Sequence, residues 1–252
     1  MTRKSFYQAL NSRIPAVYKE SWDNDGAMLL QNPEKEVKSV LCTLDVSDAV
    51  IDHAKENGVD LILSHHPLIF DGVRALDGCD PTSRRVLKLM EADIAVFSFH
   101  TRLDAMEGGI NDALADALGL SGVKPIGEIE CMIGRIGELP SPMPFEDFCA
   151  LVKEVTGAPF VNALVKKDTV RRVAVVGGEG KDFISLASGA GADTYLSGRL
   201  GYHAMLDGEI NLMECGHYYS EKHAALLLKD IAETVSPEVK VQIYAPNSLR
   251  VY

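Results

Sequence analysis

The sequence is poor in several things at once, and each scarcity closes off a class of protein. No stretch approaches the roughly 18 to 20 apolar residues a membrane-spanning helix needs, and the N-terminal segment MTRKSFYQALNSRIPAVYKES carries no continuous apolar core of the secretory-leader kind. A cytoplasmic protein with no membrane partner is expected. The five cysteines (Cys42, Cys79, Cys131, Cys149, Cys215) form no CxxC and no close pair, so a disulfide-stapled scaffold is excluded and they read as reduced thiols. Basic residues are scattered as short pairs (Arg84-Arg85, Lys166-Lys167, Arg171-Arg172) under a formal net charge of −11. With no basic stripe to neutralise phosphates, nucleic acid is not expected as a direct partner. An anionic small molecule stays open, because bound cations reverse the local sign of charge. No low-complexity segment or long charge run reads as a tail.

What the sequence does contain is a folding chain of 252 residues, 46% hydrophobic and 24% charged, enough for one large α/β domain or two lobes. Residues 38–46 (KSVLCTLDV) read as a buried strand, 47–57 as a helix capped by Ser47 and stopped at Gly58, and 60–64 (DLILS) as a second strand. A matching unit begins at Arg172, with strand RVAVVGGEG, helix KDFISLASGAG and strand ADTYLSG. Each unit is followed by a third apolar strand (94–99 and 210–215) ending in a histidine with a carboxylate four residues on: His100 with Asp104, and His217 with Glu221. A helix then follows in each half (109–120 and 222–234). Between the halves lie a strand (132–139), a turn at Pro140, Pro142 and Pro144, a helix (145–156) and a strand (161–165). Two similar α/β lobes with mixed sheets flanked by helices are predicted, residues 1–125 holding His65, His66 and Asp104, and 126–252 holding His217 and Glu221. The boundary is placed near 122–128, and the lobe of the last strand, 239–244, is left open.

In open α/β sheets, ligands gather at the carboxyl ends of strands, and His65-His66, Asp104 and His217/Glu221 all follow predicted strands. Three imidazoles with two carboxylates suit a first-row divalent ion. If two ions each take three protein ligands from these five residues, one carboxylate must bridge, with Asp104 and Glu221 the candidates. Consecutive side chains at a strand end diverge, so His65 and His66 could face different ions. The plain alternatives are a cap or dipole partner for the helix near Gly109 in the case of Asp104, and a solvated first-turn acid in the case of Glu221. The GGEGK loop (177–181) reads as a tight turn; as a phosphate cradle it lacks the full P-loop spacing.

The segments SHHPLIF (64–70), FHTRLDAMEGGIND (99–112) and GHYYSEK (216–222), together with WDNDGAMLL (22–30) and GADTYLSG (191–198), resemble the motifs of the GTP cyclohydrolase I type 2 family, also called Nif-three-like proteins. The resemblance spans nearly the whole chain and matches the compact form without an inserted domain. It implies that His65, His66, Asp104, His217 and Glu221 hold two divalent metal ions per chain, of zinc, iron, manganese or nickel type. It further implies a two-lobed α/β fold with the site in the cleft between lobes, and a ring-shaped homohexamer. The reaction it implies is attack of metal-bound hydroxide on the guanine imidazole ring of GTP, with loss of formate. Departures stand at Arg102, where a polar residue such as Asn is usual, and at Ser197-Gly198-Arg199, where a TGD-like triplet is common. His100 is expected to hold a ligand or act as an acid or base; symmetry with His217 would make it a ligand, but the family pattern does not. His203 and His223 carry less. The same five residues also suit a non-catalytic metal-delivery protein or a metal-stabilised scaffold.

Overall fold

The computed structural model describes residues 1–127, 132–247 and 249–250. In chain order its elements begin α1 (Arg3–Arg13), β1 (Gly26–Leu29), β2 (Ser39–Thr43), α2 (Asp48–Glu56), β3 (Leu61–Ser64), α3 (Pro81–Glu91) and β4 (Ala95–Ser98). Next come α4 (Thr101–Ala105), α5 (Ile110–Ala117), β5 (Ser121–Pro125), β6 (Arg135–Pro144), α6 (Phe145–Thr156), β7 (Asn162–Leu164) and β8 (Thr169–Glu179). The chain closes with α7 (Ile184–Gly189), β9 (Thr194–Arg199), α8 (Tyr202–Leu206), β10 (Asn211–Glu214), α9 (His217–Glu221), α10 (Ala224–Val235) and β11 (Lys240–Ile243). These fall into two compact units, one of Met1–Leu103 with Ala224–Ser248, the other centred on Asp104–His223.

The first unit holds a mixed sheet in the order β1-β4-β3-β2-β11. Strands β2, β3, β4 and β11 run parallel and β1 closes the edge antiparallel to β4. Every residue of β2, β3 and β4 is buried, as a parallel sheet covered on both faces requires, and this is why the sequence shows unbroken apolar runs there. Val50, Ile51 and Ala54 of α2 and Val86 and Leu89 of α3 pack with Leu41, Ile62 and Val96, while α10 lies on β2, β3 and β11. Ser47 caps α2 by accepting from the Val50 amide, and Asp80 caps α3 with Pro81 in its first turn. Because β2, β3 and β4 are parallel, the residues after Thr43, Ser64 and Ser98 emerge at one edge of the sheet.

The second unit holds a mixed sheet in the order β5-β6-β8-β9-β10-β7, with β8, β9 and β10 parallel and the outer strands antiparallel. Leu114, Ala115 and Leu118 at α5, and Phe148 and Val152 of α6, pack with Val173, Val175, Leu196 and Met213. Gly157, in the left-handed region (φ 67), ends α6.

Two expectations change, and one left open is resolved. The units divide at Leu103/Asp104 instead of near residue 125, because α5 packs on β6 and β8; Asp104 therefore belongs to the second unit. The echo of the two halves hides this, since each half's last helix joins the other half: α5 the second unit, α10 the first. The Pro140-Pro142-Pro144 segment is not a turn but the far part of β6, whose pairing with β8 jumps from Glu138 to Met143 where prolines supply no amide hydrogens. β11 pairs with β2 in the first sheet. Elements absent from the sequence reading are α1, β1, α3, β5 and α8, besides the short helices α4 and α9. Among the described residues Cys42, Cys79, Cys149 and Cys215 are free thiols; Cys131 lies outside them. Burial pushes the Cys215 thiol up to about 12. No helix among the described residues is long and apolar enough to cross a membrane.

Candidate metal centre

In the first unit, His65 and His66 leave the carboxyl end of β3 and His100 the end of β4. A ring nitrogen of each of the three lies within 4.8 Å of the others'. The Nδ1 atom of His65 meets the Phe99 carbonyl oxygen at 3.0 Å. A carbonyl only accepts, so in the neutral ring Nδ1 carries the proton and Nε2 the lone pair. His66 is fixed in the same way, its Nδ1 donating to Asp45 Oδ1 at 2.7 Å. A carbonyl or carboxylate holding the far nitrogen is how metal-binding imidazoles are oriented and made more basic. His65 is fully buried and His66 half-buried.

His100 belongs to a different arrangement. Its Nδ1 donates to Asp23 Oδ1 at 2.8 Å, while Asp23 Oδ2 accepts from the Thr101 amide (3.1 Å) and hydroxyl (2.6 Å). Burial raises the Asp23 pKa, but the hydrogen bonds from His100 and Thr101 and the His100 charge outweigh it and hold the carboxyl down to about 2. Arg102, the departure noted in the sequence, is a structural cation: its Nε donates to Asp25 Oδ2 at 2.7 Å, its Nη1 to Asn11 and the Ile14 carbonyl, and it lies 5.0 Å over the Phe99 ring. It ties the WDND loop to the start of α4.

In the second unit, Asp104 sits in α4 and His217 and Glu221 at the two ends of α9. Carboxylate oxygens of Asp104 and Glu221 approach within 4.8 Å. His217 Nε2 lies 3.0 Å from Glu221 Oε2. Two donors bound to one ion at about 2.1 Å stand about 3.0 Å apart at a right angle and about 3.4 Å apart at a tetrahedral angle, so this pair, an i,i+4 ion-pair contact, is also close enough to share one ion.

Glu221 is not a solvated acid; it is 3% exposed. Glycines make its seat. A Cβ on Gly178, whose φ is +64, would fall 2.2 Å from Glu221 Oε1, and one on Gly177 3.1 Å from Glu221 Cγ. On Gly198 a Cβ would fall 2.4 Å from Ser220 Oγ and 2.9 Å from His217 Cα. The close approach of α9 to the ends of β8 and β9 explains the glycines at these places. Of the loop amides, Gly177 N donates to Asn111 Oδ1, Gly178 N to Ser220 Oγ and Gly180 N to the Arg199 carbonyl. The GGEGK segment is therefore a seat for Glu221, not a phosphate cradle. Asn111 also donates to the carbonyls of Asp104 and Ile133, and Arg135 bonds Asp112 and the carbonyls of Ala105 and Met106. Together they fix the chain from Asp104 to Met106; Asp104 is buried and is no cap for α5, where Gly109 holds that position. Arg199 and His203 are exposed, and burial, followed by the Lys222 charge, lowers the pKa of His223.

Each donor set, the imidazoles with fixed tautomers in the first unit and the buried carboxylates beside an imidazole in the second, is of a kind that suits a borderline divalent cation. Sequence reasoning missed Asp45, Asp23, Asn111 and Arg135. Asp45 had a usable signal, since it follows β2 as His65 follows β3, and Asn111 lies inside the GGIND segment.

Taken together, the chain is an α/β protein of two mixed sheets with a candidate His/Asp/Glu metal site. It belongs to the Duf34/NIF3 (NGG1p interacting factor 3) family, which it matches over residues 1–248. It is 34% identical over 216 residues to a GTP cyclohydrolase 1 type 2 homolog of Clostridium perfringens, covering 82% of each chain. It is 32% identical to one of Methanocaldococcus jannaschii, covering 96% of this chain and 98% of that one. Among solved structures, a Staphylococcus aureus hypothetical protein superposes with a TM-score of 0.88 at 25% identity, covering 100% of this chain and 99% of that one. Reduced HcgD from Methanocaldococcus jannaschii does so at 0.83 and 28% identity, covering 96% and 97%.

Proposed function

We propose that His65, His66, Asp104, His217 and Glu221 together bind two divalent first-row ions, and that the chain is a metal-dependent hydrolase. Opening of the guanine imidazole ring of GTP, with release of formate, is its leading specific form. The observation that carries the metal reading is the anchoring of Nδ1 on both His65 and His66, which makes Nε2 the lone-pair atom of each ring and is how metal-binding imidazoles are oriented. The specific reaction comes from the name of the curated relatives, GTP cyclohydrolase 1 type 2 homolog. When bound, the ions would lower the pKa of water and polarise the electrophile. The chain's own part follows from its geometry. His65 and His66 present their lone pairs from a rigid strand end; Asp104 and Glu221 would supply the negative charge that holds the ions. Asp23 holds the His100 Nδ1 proton, so Nε2 is the atom that exchanges a proton with substrate.

The test is metal analysis followed by incubation of the metal-loaded protein with GTP. Formate and an opened-ring product are expected. Two bound ions with no such product would refute the cyclohydrolase form. Ready surrender of the ions to a competing chelator would point instead to metal delivery. The ring-shaped homohexamer belongs to the same reading, and light scattering should give a mass six times that of the chain.

A further inference from the structure

Two aromatic side chains in the first unit are left open to solvent. Trp22 is 60% and Phe70 50% exposed, although either ring would gain by burial. They are neighbours, with centroids 6.3 Å apart. Each also meets His100 edge-on, Trp22 at 6.2 Å and Phe70 at 6.1 Å, and His100 in turn lies 5.2 Å from His65 and 5.8 Å from His66. The exposed rings therefore adjoin the histidine donors and share a wall with them.

The loops that carry the rings are pinned. Asn24 Nδ2 donates to the Ile69 carbonyl at 2.6 Å, joining the Trp22 loop to the Phe70 loop. Asp23, next to Trp22, is buried with three hydrogen bonds from His100 and Thr101. Flat apolar faces held in place before a ligand arrives bind planar rings at little entropic cost.

We infer that Trp22 and Phe70 form a stacking platform for a planar heteroaromatic ring, a purine or similar base, set beside the histidines. This rests on the proposed function in that the ring is taken to be part of the substrate. At 6.3 Å with planes tilted 56°, the two rings touch each other and leave no slot between them, so the ligand stacks on their outer faces. Specificity on such a platform comes from flatness, with sugar and phosphate contributing elsewhere.

Trp22 is the one tryptophan of the chain, so its fluorescence reports on the platform alone. Guanosine and GTP should quench it saturably in the full-length protein, whereas ribose 5-phosphate and inorganic triphosphate should not. Phe70→Ala, a change at an exposed position, should weaken guanosine on the order of ten-fold while metal content stays at the wild-type level. Metal content measured on the same preparations separates the two claims. A metal-loaded protein that shows no saturable quenching overturns the platform and leaves the metal reading intact. Ring binding by protein that holds no metal supports the platform and overturns the metal reading. Equal guanosine affinity in wild type and Phe70→Ala also overturns the platform. So does a lower assembly mass for Trp22→Ala at unchanged GTP affinity by calorimetry, which would show that a second copy of the chain covers this face.

Discussion

Replacing Gly178 by alanine tests the seat of Glu221 with a single methyl group. Gly178 has φ +64, and an added Cβ would meet Glu221 Oε1 at 2.2 Å, Glu221 Cδ at 3.1 Å and His217 Cε1 at 3.3 Å. The backbone cannot swing away, because its amide donates to Ser220 Oγ at 3.0 Å and its carbonyl accepts from Ser197 Oγ at 3.1 Å. The left-handed conformation alone costs alanine about 1–2 kcal/mol. Moving a buried carboxylate off its partners brings the total to about 2–4 kcal/mol. For a chain of this size that is a fall in melting temperature of roughly 5–15 °C. Gly58→Ala is the matched control: Gly58 has φ +62 but nothing within 4 Å of its added Cβ, so it carries the backbone cost alone. The assay is thermal unfolding by circular dichroism with metal content measured on the same samples. Gly178→Ala should melt below Gly58→Ala and hold less metal, while Gly58→Ala keeps the wild-type metal content. If the two variants match in both readouts, the seat is wrong.

Other expectations follow from the same geometry. Asp45→Asn leaves His66 without its carboxylate anchor and should weaken metal affinity about 10- to 100-fold, read by competition with a chromogenic chelator; unchanged affinity would remove Asp45 from the account. Glu221→Gln should lower metal content to one ion or fewer per chain, and two retained ions would contradict a bridging role. Asp23, fully buried with its pKa held down to about 2, is depressed in the folded state. Its contribution is therefore present above its unfolded value near 4 and is lost as pH falls from there towards 2, amounting to about 2 kcal/mol. Asp23→Asn should flatten the fall in stability between about pH 4 and 2, measured by urea unfolding. Arg135→Met should destabilise by about 3–5 kcal/mol, since it removes the cation paired with Asp112 and the donor to the carbonyls of Ala105 and Met106; a loss under 1 kcal/mol would contradict that.

Where local pattern dominates, the sequence was legible. The buried runs of β2, β3 and β4 show as unbroken apolar stretches because both faces are covered, and Ser47 and Gly58 mark helix ends through their own chemistry. Helix α1 was illegible for a physical reason: the residues it buries are Arg3, Phe6 and Leu10, and Arg3 is an arginine neutralised by Asp93, ninety positions away. The membership of α5 and α10 depends on which sheet each covers, and no local signal fixes that. For the site, strand-end position singled out His65, His66, Asp104, His217 and Glu221. What holds His100 and His66 stayed hidden, because Asp23 with His100 and Asp45 with His66 are contacts across 77 and 21 positions. The glycines at 177 and 178 suggested a turn or an anion cradle until the Glu221 side chain was seen against them.

The most direct test of the metal reading is anomalous diffraction, collected on crystals of the metal-loaded protein at the absorption edge of the ion found by elemental analysis. The account predicts two peaks, with His65, His66, Asp104, His217 and Glu221 as the protein ligands and one carboxylate between the ions. Peaks ligated by other residues, or none in protein shown to carry metal, would contradict it.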